Sequence, residues 1–333
     1  MKLEIEKITQ INLEMAGGCN LKCPMCPQST GREEDFLKKF PLVLFKRVID
    51  EALEYGLKYV NLSGSGEPLI SKDLEEAISY AHSKDLITMI YTNGALLSGK
   101  RFEKLCQAGL SICKVSCMGW DRESYHKWMS ADNFEKVRKN LKTCLSILKT
   151  NKYKTNLQVN HLVHDYKNLE FEKSMYIKNW IEYLGIKGEI WMEHNWAGLY
   201  SDTKVPRQEI FANRHVRSCG RPLANVVEIR AGGEGEHYGA VVPCPNVLGQ
   251  DSKAIMGHVD EMPLMDVLNG EKMKELRRVH ITNEFAKIDY CYNCDQILDA
   301  EESLVWTNVK GRKYEESRIS NMNYVNSINN WKK

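Results

Sequence analysis

The chain has 333 residues, enough for about two domains of ordinary size. Hydrophobic residues make up 43% and charged residues 27%, a balance that is typical of a globular protein with a large core. The 46 basic and 44 acidic side chains leave a net charge of +2, which gives no electrostatic reason to expect a nucleic acid or an anionic membrane as partner. No apolar run approaches the roughly 20 residues that span a bilayer, and the charged start has no signal-peptide core, so we expect a cytoplasmic protein.

Strands and helices alternate along the first 200 residues. The apolar–polar alternation in 8–18 predicts a first strand that runs into Gly17 and Gly18. The further predicted elements follow in this order: helix 43–55, strand 59–62, a helix that begins near Asp73, strand 86–91, helix 99–108, strand 112–116, helix 134–148, strand 156–164, helix 168–183 and strand 189–192. About six strand–helix units predict an α/β fold with a parallel sheet, and they are too few to close an eight-stranded barrel.

The pattern changes after about residue 200. Periodicity weakens, glycines cluster in 231–235, and the last four cysteines all lie in this part of the chain. We therefore predict three segments: an open, partial (β/α)6 TIM barrel over 1–204, a smaller C-terminal α+β domain over 205–310, and a polar, asparagine-rich tail over 311–333.

The eleven cysteines are the unusual feature of the composition, because the cytosol keeps thiols reduced and disfavours a disulfide framework. Cys19, Cys23 and Cys26 form a CxxxCxxC motif on the loop after the first strand, and clustered thiolates in a reducing compartment indicate metal ligands. Four cysteines would complete a zinc site or an iron–sulfur cluster, whereas three leave one metal position open for reaction. A zinc knuckle with a distant fourth ligand is the alternative. Four cysteines in apolar segments are predicted to be small buried hydrophobes: Cys106, Cys113, Cys117 and Cys144.

The CxxxCxxC motif in this position resembles the signature of the radical S-adenosylmethionine (SAM) superfamily. The resemblance implies that the three cysteines hold a 4Fe–4S cluster, that SAM chelates its fourth iron, and that reductive cleavage of SAM gives a 5′-deoxyadenosyl radical. Ser65-Gly66-Glu67-Pro68 is similar to the family's G-G-E-P motif, with serine in place of the first glycine. The resemblance also implies the following contacts with SAM: Met25, Gly66, Glu67, Asn93, Ser116, Asn160 and Trp196. His161 and His194 are predicted to be structural.

A second cysteine set occupies the C-terminal part: Cys219, Cys244, Cys291 and Cys294. Its order resembles the SPASM/twitch extension of radical SAM enzymes. No cysteine follows Cys294, so the resemblance implies the shorter twitch form, in which these four residues hold one auxiliary 4Fe–4S cluster. A structural zinc site with four cysteine ligands is the alternative. A cluster with no open iron suits electron transfer.

The role of the auxiliary cluster decides the predicted reaction. If it accepts the second electron from the substrate, the outcome is a two-electron oxidation, and Arg221 and Arg230 are the predicted groups that orient or deprotonate a hydroxyl. If a thiol returns a hydrogen atom, the outcome is epimerisation, and Cys117 is the predicted donor.

The substrate class follows from the chain's start. Only about ten residues precede the first strand, which leaves no room for the leader-binding domain of many peptide-modifying relatives. We therefore expect a small polar substrate, such as a sugar, an aminocyclitol or a nucleoside-like compound, and the resemblance is greatest to enzymes of the 2-deoxy-scyllo-inosamine dehydrogenase type. It also implies a reductant such as flavodoxin or ferredoxin. The alternatives are a radical epimerase, a peptide- or protein-modifying SPASM-type enzyme, and a non-catalytic iron–sulfur or zinc-binding protein.

Overall fold

The computed structural model describes residues 3–30, 32–200, 218–248, 252–295 and 304–310. The strands in these ranges are β1 Gln10–Leu13, β2 Tyr59–Asn61, β3 Ile87–Thr92, β4 Ile112–Ser116, β5 Asn156–Val163, β6 Lys187–Met192, β7 Val226–Ile229, β8 Ala240–Val242, β9 Gly257–His258 and β10 Leu304–Thr307. The α-helices are α1 Leu42–Glu54, α2 Leu74–Ser83, α3 Gly99–Gln107, α4 Arg122–Met129, α5 Phe134–Asn151, α6 Leu169–Tyr176, α7 Leu264–Leu268, α8 Glu271–Ile281 and α9 Asp289–Tyr292. A π-helical turn, Ile177–Glu182, continues α6.

The first six strands form the predicted partial barrel. They are parallel and lie side by side in the order β6-β5-β4-β3-β2-β1, so each strand pairs with its predecessor along the chain. Helices connect them, as parallel neighbours require. The sheet stays open because other strands cover both of its edges: β10 pairs antiparallel with β6, and β7 pairs parallel with β1. The prediction of an open (β/α)6 barrel is confirmed.

The C-terminal part continues the barrel sheet. β8 pairs antiparallel with β7, and β9 pairs antiparallel with β8, so a single ten-stranded sheet runs through the described residues. This attachment places the second cysteine set next to β1. The boundary predicted between 204 and 205, and the tail predicted over 311–333, lie outside the described residues.

One large apolar core separates the sheet from its helices. Ile11 and Leu13 of β1 are fully buried in it, as are Val48 and Ile49 of α1. Helix α4 was not predicted from the sequence, but it has a capping box at its start, in which the Asp121 side chain accepts the Ser124 backbone N–H. No helix in the described ranges is both long and apolar enough to cross a membrane.

Candidate active site

The first three predicted cluster ligands lie on the loop that leaves β1. Cys19, Cys23 and Cys26 are all partly buried, and the backbone N–H of Cys26 donates to the Cys23 carbonyl over 3.0 Å, which turns the chain between them. Burial, together with the neighbouring thiols, raises the pKa of Cys23 to about 12. A metal centre bound by such a thiol would displace its proton, because cysteine ligands bind as thiolates.

The Ser65-Gly66-Glu67-Pro68 segment, which we call the GEP loop, packs directly on the cysteine loop. The backbone N–H of Glu67 donates to the Gly18 carbonyl over 2.8 Å. A Cβ atom on Gly66 would lie 1.9 Å from the Ala16 carbonyl oxygen. Only a residue without a side chain allows this approach, which gives the motif's glycine a steric reason.

We expect Gly66→Ala to weaken SAM binding by about tenfold or more, because the methyl overlap with backbone forces the GEP loop away from the cysteine loop. Equilibrium dialysis of the reconstituted protein with SAM measures the effect. Gly185→Ala is the control, since a Cβ there meets no atom within 4 Å and only the strain of its positive φ remains. Equal SAM affinity in both variants would contradict the steric argument.

The Glu67 carboxylate is 2% exposed and faces the end of β3. It accepts hydrogen bonds from Thr92 Oγ1 over 2.6 Å, from the Asn93 backbone N–H over 2.8 Å and from the Leu69 backbone N–H over 3.1 Å. Three donors leave about one of its four acceptor positions for an ammonium group. Much of the role of Glu67 is thus to hold the carboxyl end of β3 against the cysteine loop.

Three of the predicted SAM contacts lie on neighbouring strands: Asn93 follows β3, Ser116 ends β4, and Asn160 lies inside β5 at the level of Ser116. Asn93 Nδ2 donates to Asn20 Oδ1 over 2.9 Å, which ties the end of β3 to the cysteine loop. Ser116 and Asn160 are paired in the register of β4 and β5, so their side chains share one face of the sheet. Asn160 Oδ1 is buried and has no hydrogen-bond partner among the described residues. Open parallel sheets bind their ligands at this edge.

Met25 and Trp196 differ in how open they are to a ligand. Met25 is buried in the main core. Trp196 follows β6 in a left-handed turn, with φ of 49° and the ring 4.4 Å from that of His194. Its indole Nε1 is buried without a hydrogen-bond partner in the described ranges, so it retains a donor for a ligand.

His161 points away from this edge. Its Nε2 lies 2.8 Å from Glu172 Oε1, and its ring stacks on Tyr176 with the centroids 4.4 Å apart. The side chain is fully buried between β5 and α6. These contacts give His161 a role in the packing of β5 on α6.

The second cysteine set meets at one cavity. All four members line it: Cys219, Cys244, Cys291 and Cys294. Burial raises the pKa of Cys244 to about 11, and the pKa of Cys291 well above its usual value, with the other three thiols adding to the latter shift. Cys219 comes from a distant part of the sequence, yet it lies in the same cavity as the CxxC pair.

Four cysteine ligands around one cavity suit either a single tetrahedral zinc ion or a cubane cluster, in which each cysteine binds a different iron.

The surroundings of three residues do not fit the catalytic roles predicted for them: Cys117, Arg221 and Arg230. Cys117 is fully buried in the core on the helix side of the sheet, and burial raises its pKa well above the usual value, so it does not face a ligand at the strand ends. Arg230 is buried and donates to the carbonyls of Pro245 and Val247 over 2.9 and 2.6 Å. Arg221 lines the auxiliary cavity, where it can only orient groups near the cysteines.

The inner face of the barrel is polar, which the sequence did not reveal. Lys114 Nζ in β4 lies 2.9 Å from Glu189 Oε2 in β6, and Trp191 Nε1 donates to the same oxygen over 3.1 Å. The two charged side chains are at most 6% exposed. Lys114 Nζ also lies 5.3 Å from the centre of the Tyr91 ring. Lys114 shares its side-chain face with Ser116, a period-two signal that could have identified it.

Comparison with known proteins agrees with this geometry. Residues 13–189, more than half of the chain, match the radical SAM superfamily, and residues 236–295 match the SPASM iron–sulfur cluster-binding domain. The chain belongs to the radical SAM superfamily. It is a radical SAM enzyme with a C-terminal SPASM domain, and its cofactors are SAM and two 4Fe–4S clusters. The sequence resemblance is confirmed, and the converging cysteines and the glycine at the GEP loop fit these groups.

Individual relatives cover the chain unevenly. A probable GTP 3′,8-cyclase from Methanococcus maripaludis is 31% identical over 159 residues, which are 48% of this chain and 51% of that protein. The chain thus spans about half the length of this relative. BtrN, solved in complex with AdoMet and 2-DOIA, has a TM-score of 0.58 at 21% identity and covers 91% of this chain and 100% of its own. SuiB of Streptococcus suis, bound to precursor peptide SuiA, has a TM-score of 0.61 at 15% identity, and the match covers 83% of this chain and 67% of SuiB. The two solved structures are similar to this chain in fold.

Proposed function

We propose that the chain oxidises a small polar substrate, a sugar, aminocyclitol or nucleoside-like compound, by two electrons. The polar inner face of the barrel, beside the SAM contacts at the strand ends, is the observation that carries this proposal. In it Cys19, Cys23 and Cys26 hold the SAM-binding cluster, and the four later cysteines hold the auxiliary cluster. When bound, SAM and its cluster supply hydrogen-atom abstraction, and the auxiliary cluster supplies an electron acceptor.

Charge pairing inside the barrel favours a hydroxylated compound over a nucleoside triphosphate. Among the described residues the buried Lys114 and Arg32 each lie within 3.2 Å of a carboxylate oxygen, and the buried Arg230 donates to the Pro245 and Val247 carbonyls. A triphosphate needs several cations that are not already compensated. Hydroxyl and amino groups instead match buried amide oxygens such as that of Asn160, which have acceptor capacity to spare.

Glu189 is the residue that we assign to the hydroxyl proton. Oxidation of an alcohol to a ketone removes a hydrogen atom from carbon, an electron, and the proton of the hydroxyl group. Glu189 lies on the polar inner face with Lys114 Nζ 2.9 Å from its Oε2, and a carboxylate there can accept that proton. An arginine is a much poorer base, so Glu189 replaces Arg221 and Arg230 in this role.

The position of the auxiliary cavity supports electron transfer. Ala197 lines the cavity and directly follows Trp196, which lies at the end of β6 near the SAM contacts. The cavity therefore abuts the segment that borders the reaction site. We propose that a cluster held by four cysteines there takes an electron from a substrate radical without binding the substrate itself.

The proposal is tested by anaerobic reconstitution with iron and sulfide, followed by SAM and dithionite or reduced flavodoxin. The probes are 2-deoxy-scyllo-inosamine, GTP and a cysteine-containing peptide. We expect a new carbonyl on the cyclitol with one 5′-deoxyadenosine per product and no solvent deuterium on its carbon. Solvent deuterium in the product would indicate epimerisation, and turnover of GTP or the peptide alone would overturn the substrate class.

We expect Glu189→Gln to lower the rate of ketone formation by about 10²-fold or more, because an amide cannot accept the hydroxyl proton. Formation of 5′-deoxyadenosine should continue, since hydrogen abstraction does not need this base, and the ratio of 5′-deoxyadenosine to ketone should rise. Glu172→Gln is the matched control, a buried carboxylate on the helix side of β5. An unchanged ratio in Glu189→Gln would exclude the assigned role.

A further inference from the structure

Ser65 is the position at which the GEP loop departs from the family's motif, and its hydroxyl group is fully bound. Ser65 Oγ donates to Glu14 Oε1 over 2.6 Å and accepts from Arg32 Nη1 over 2.6 Å. A glycine at this position would make neither contact. The substitution therefore comes with two partners elsewhere in the chain.

Glu14 is the centre of this network. Its Oε1 also accepts the backbone N–H groups of Ser65 over 2.8 Å and Gly66 over 3.2 Å, while its Oε2 accepts Arg32 Nη2 over 3.2 Å and the Ala231 backbone N–H over 3.0 Å. The carboxylate is fully buried, and burial alone would raise its pKa, yet Arg32 and Arg230 bring the pKa down to about 2. Glu14 is thus a permanent anion with every acceptor position in use.

The hydrogen-bond network of Glu14 joins four separate segments. Glu14 directly follows β1, Arg32 follows the CxxxCxxC motif, Ser65 and Gly66 follow β2, and Ala231 follows β7 of the SPASM side. Arg32 Nη1 additionally donates to the Gly17 carbonyl over 3.2 Å. One carboxylate therefore joins the cysteine loop, the GEP loop and the strand that leads to the auxiliary cavity.

We infer that Glu14 and Arg32 are positioning residues for SAM: they fix the GEP loop at the distance from the cysteine loop that SAM binding needs, and they tie that spacing to β7. Neither side chain has to touch SAM. The inference concerns SAM binding without substrate, so it stands or fails independently of the proposed oxidation.

Two variants test the inference in the reconstituted holoenzyme. Glu14→Gln keeps the shape but cannot accept all five donors, and Arg32→Lys keeps the charge but loses the planar fork that reaches Glu14, Ser65 and Gly17 together. We expect the SAM dissociation constant to rise about tenfold or more in each, and the KM for SAM to rise more than kcat falls. The spectroscopic change of the reduced SAM cluster on addition of SAM should shift to higher SAM concentration.

Arg277→Lys is the matched control, because Arg277 is equally buried but donates to the Leu3 carbonyl, far from the GEP loop. It should leave SAM affinity within about twofold. Either Glu14→Gln or Arg32→Lys can fail to fold, because a buried charge is left unpaired. In that case SAM binding by Ser65→Ala tests the inference. Loss of the hydroxyl alone should weaken SAM binding about threefold to tenfold. Wild-type SAM affinity in Ser65→Ala, or in a folded Glu14→Gln or Arg32→Lys protein with full iron content, would overturn the inference.

Discussion

Replacement of Cys23 by alanine is expected to reduce 5′-deoxyadenosine formation to background. Cys23 lies between the other two cysteines of the loop, and its thiol is buried close enough to both for their charges to raise its pKa. With two thiolates the loop cannot hold a cubane cluster, so no iron remains for SAM to bind. Iron content should fall from about eight to about four atoms per chain, as one of the two clusters is lost. Chromatography of the SAM cleavage products and iron analysis measure both effects.

Cys106→Ala provides the matched control for this experiment. Cys106 is a buried cysteine in α3 that packs in the main core and belongs to neither cysteine set. Its loss removes one sulfur atom from the core, which should cost about 1 kcal/mol of stability without changing iron content. If Cys23→Ala still produced 5′-deoxyadenosine at the rate of Cys106→Ala, Cys23 would not be a cluster ligand.

The barrel could be predicted because its strands carry local signals. The strand predicted over 112–116 is β4 residue for residue, and the helix predicted over 43–55 differs from α1 by one residue at each end. Apolar side chains such as Cys113 and Val115 alternate with polar ones because one sheet face packs on helices and the other lines the barrel. The pattern therefore locates the strands, although polar residues of the inner face such as Lys114 and Glu189 are buried as well.

The rest could not be predicted because it depends on contacts between distant residues. β7 pairs with β1 across more than 200 residues, and no local pattern indicates this pairing. Lys114 and Glu189 are 75 residues apart, and each alone reads as an ordinary charged residue of a strand. Glu14 was in the predicted first strand, but nothing local indicates that its carboxylate would bind the GEP loop.

The dependence on contacts between distant residues also explains why the predicted catalytic residues do not lie together. Arg221 and Arg230 were chosen because they are near Cys219 in sequence, and Cys117 because it follows Ser116. Sequence proximity says little about the face on which a side chain lies: in β4 consecutive residues point to opposite faces, so Ser116 and Cys117 point to different surroundings. The proposed proton acceptor, Glu189, and its partner Lys114 instead share the face of Ser116.

Replacement of Cys291 by alanine should separate SAM cleavage from substrate oxidation. Cys291 lines the auxiliary cavity with Cys219, Cys244 and Cys294, and its thiol is buried and close to His280 Nε2, 3.4 Å away. Without it the auxiliary cluster loses one of its four protein ligands. We expect the variant to keep 5′-deoxyadenosine formation but to lose ketone formation by about a hundredfold, because the substrate radical has no electron acceptor. Product analysis and the electron paramagnetic resonance signals of the two clusters check this.

The product pattern of Cys291→Ala distinguishes an auxiliary cluster that accepts an electron from one that has a structural role. Cys144→Ala, a buried cysteine of α5 outside both sets, controls for the loss of a thiol. If Cys291→Ala loses the auxiliary signal yet still forms ketone at the rate of Cys144→Ala, the auxiliary cluster is not the electron acceptor, and its role is structural. The Cys291→Ala reaction can also be run with SAM that is deuterated at C5′. If the recovered substrate then contains deuterium returned from 5′-deoxyadenosine, the substrate radical forms but cannot be oxidised. That result requires both an intact SAM site and an auxiliary cluster that takes the second electron.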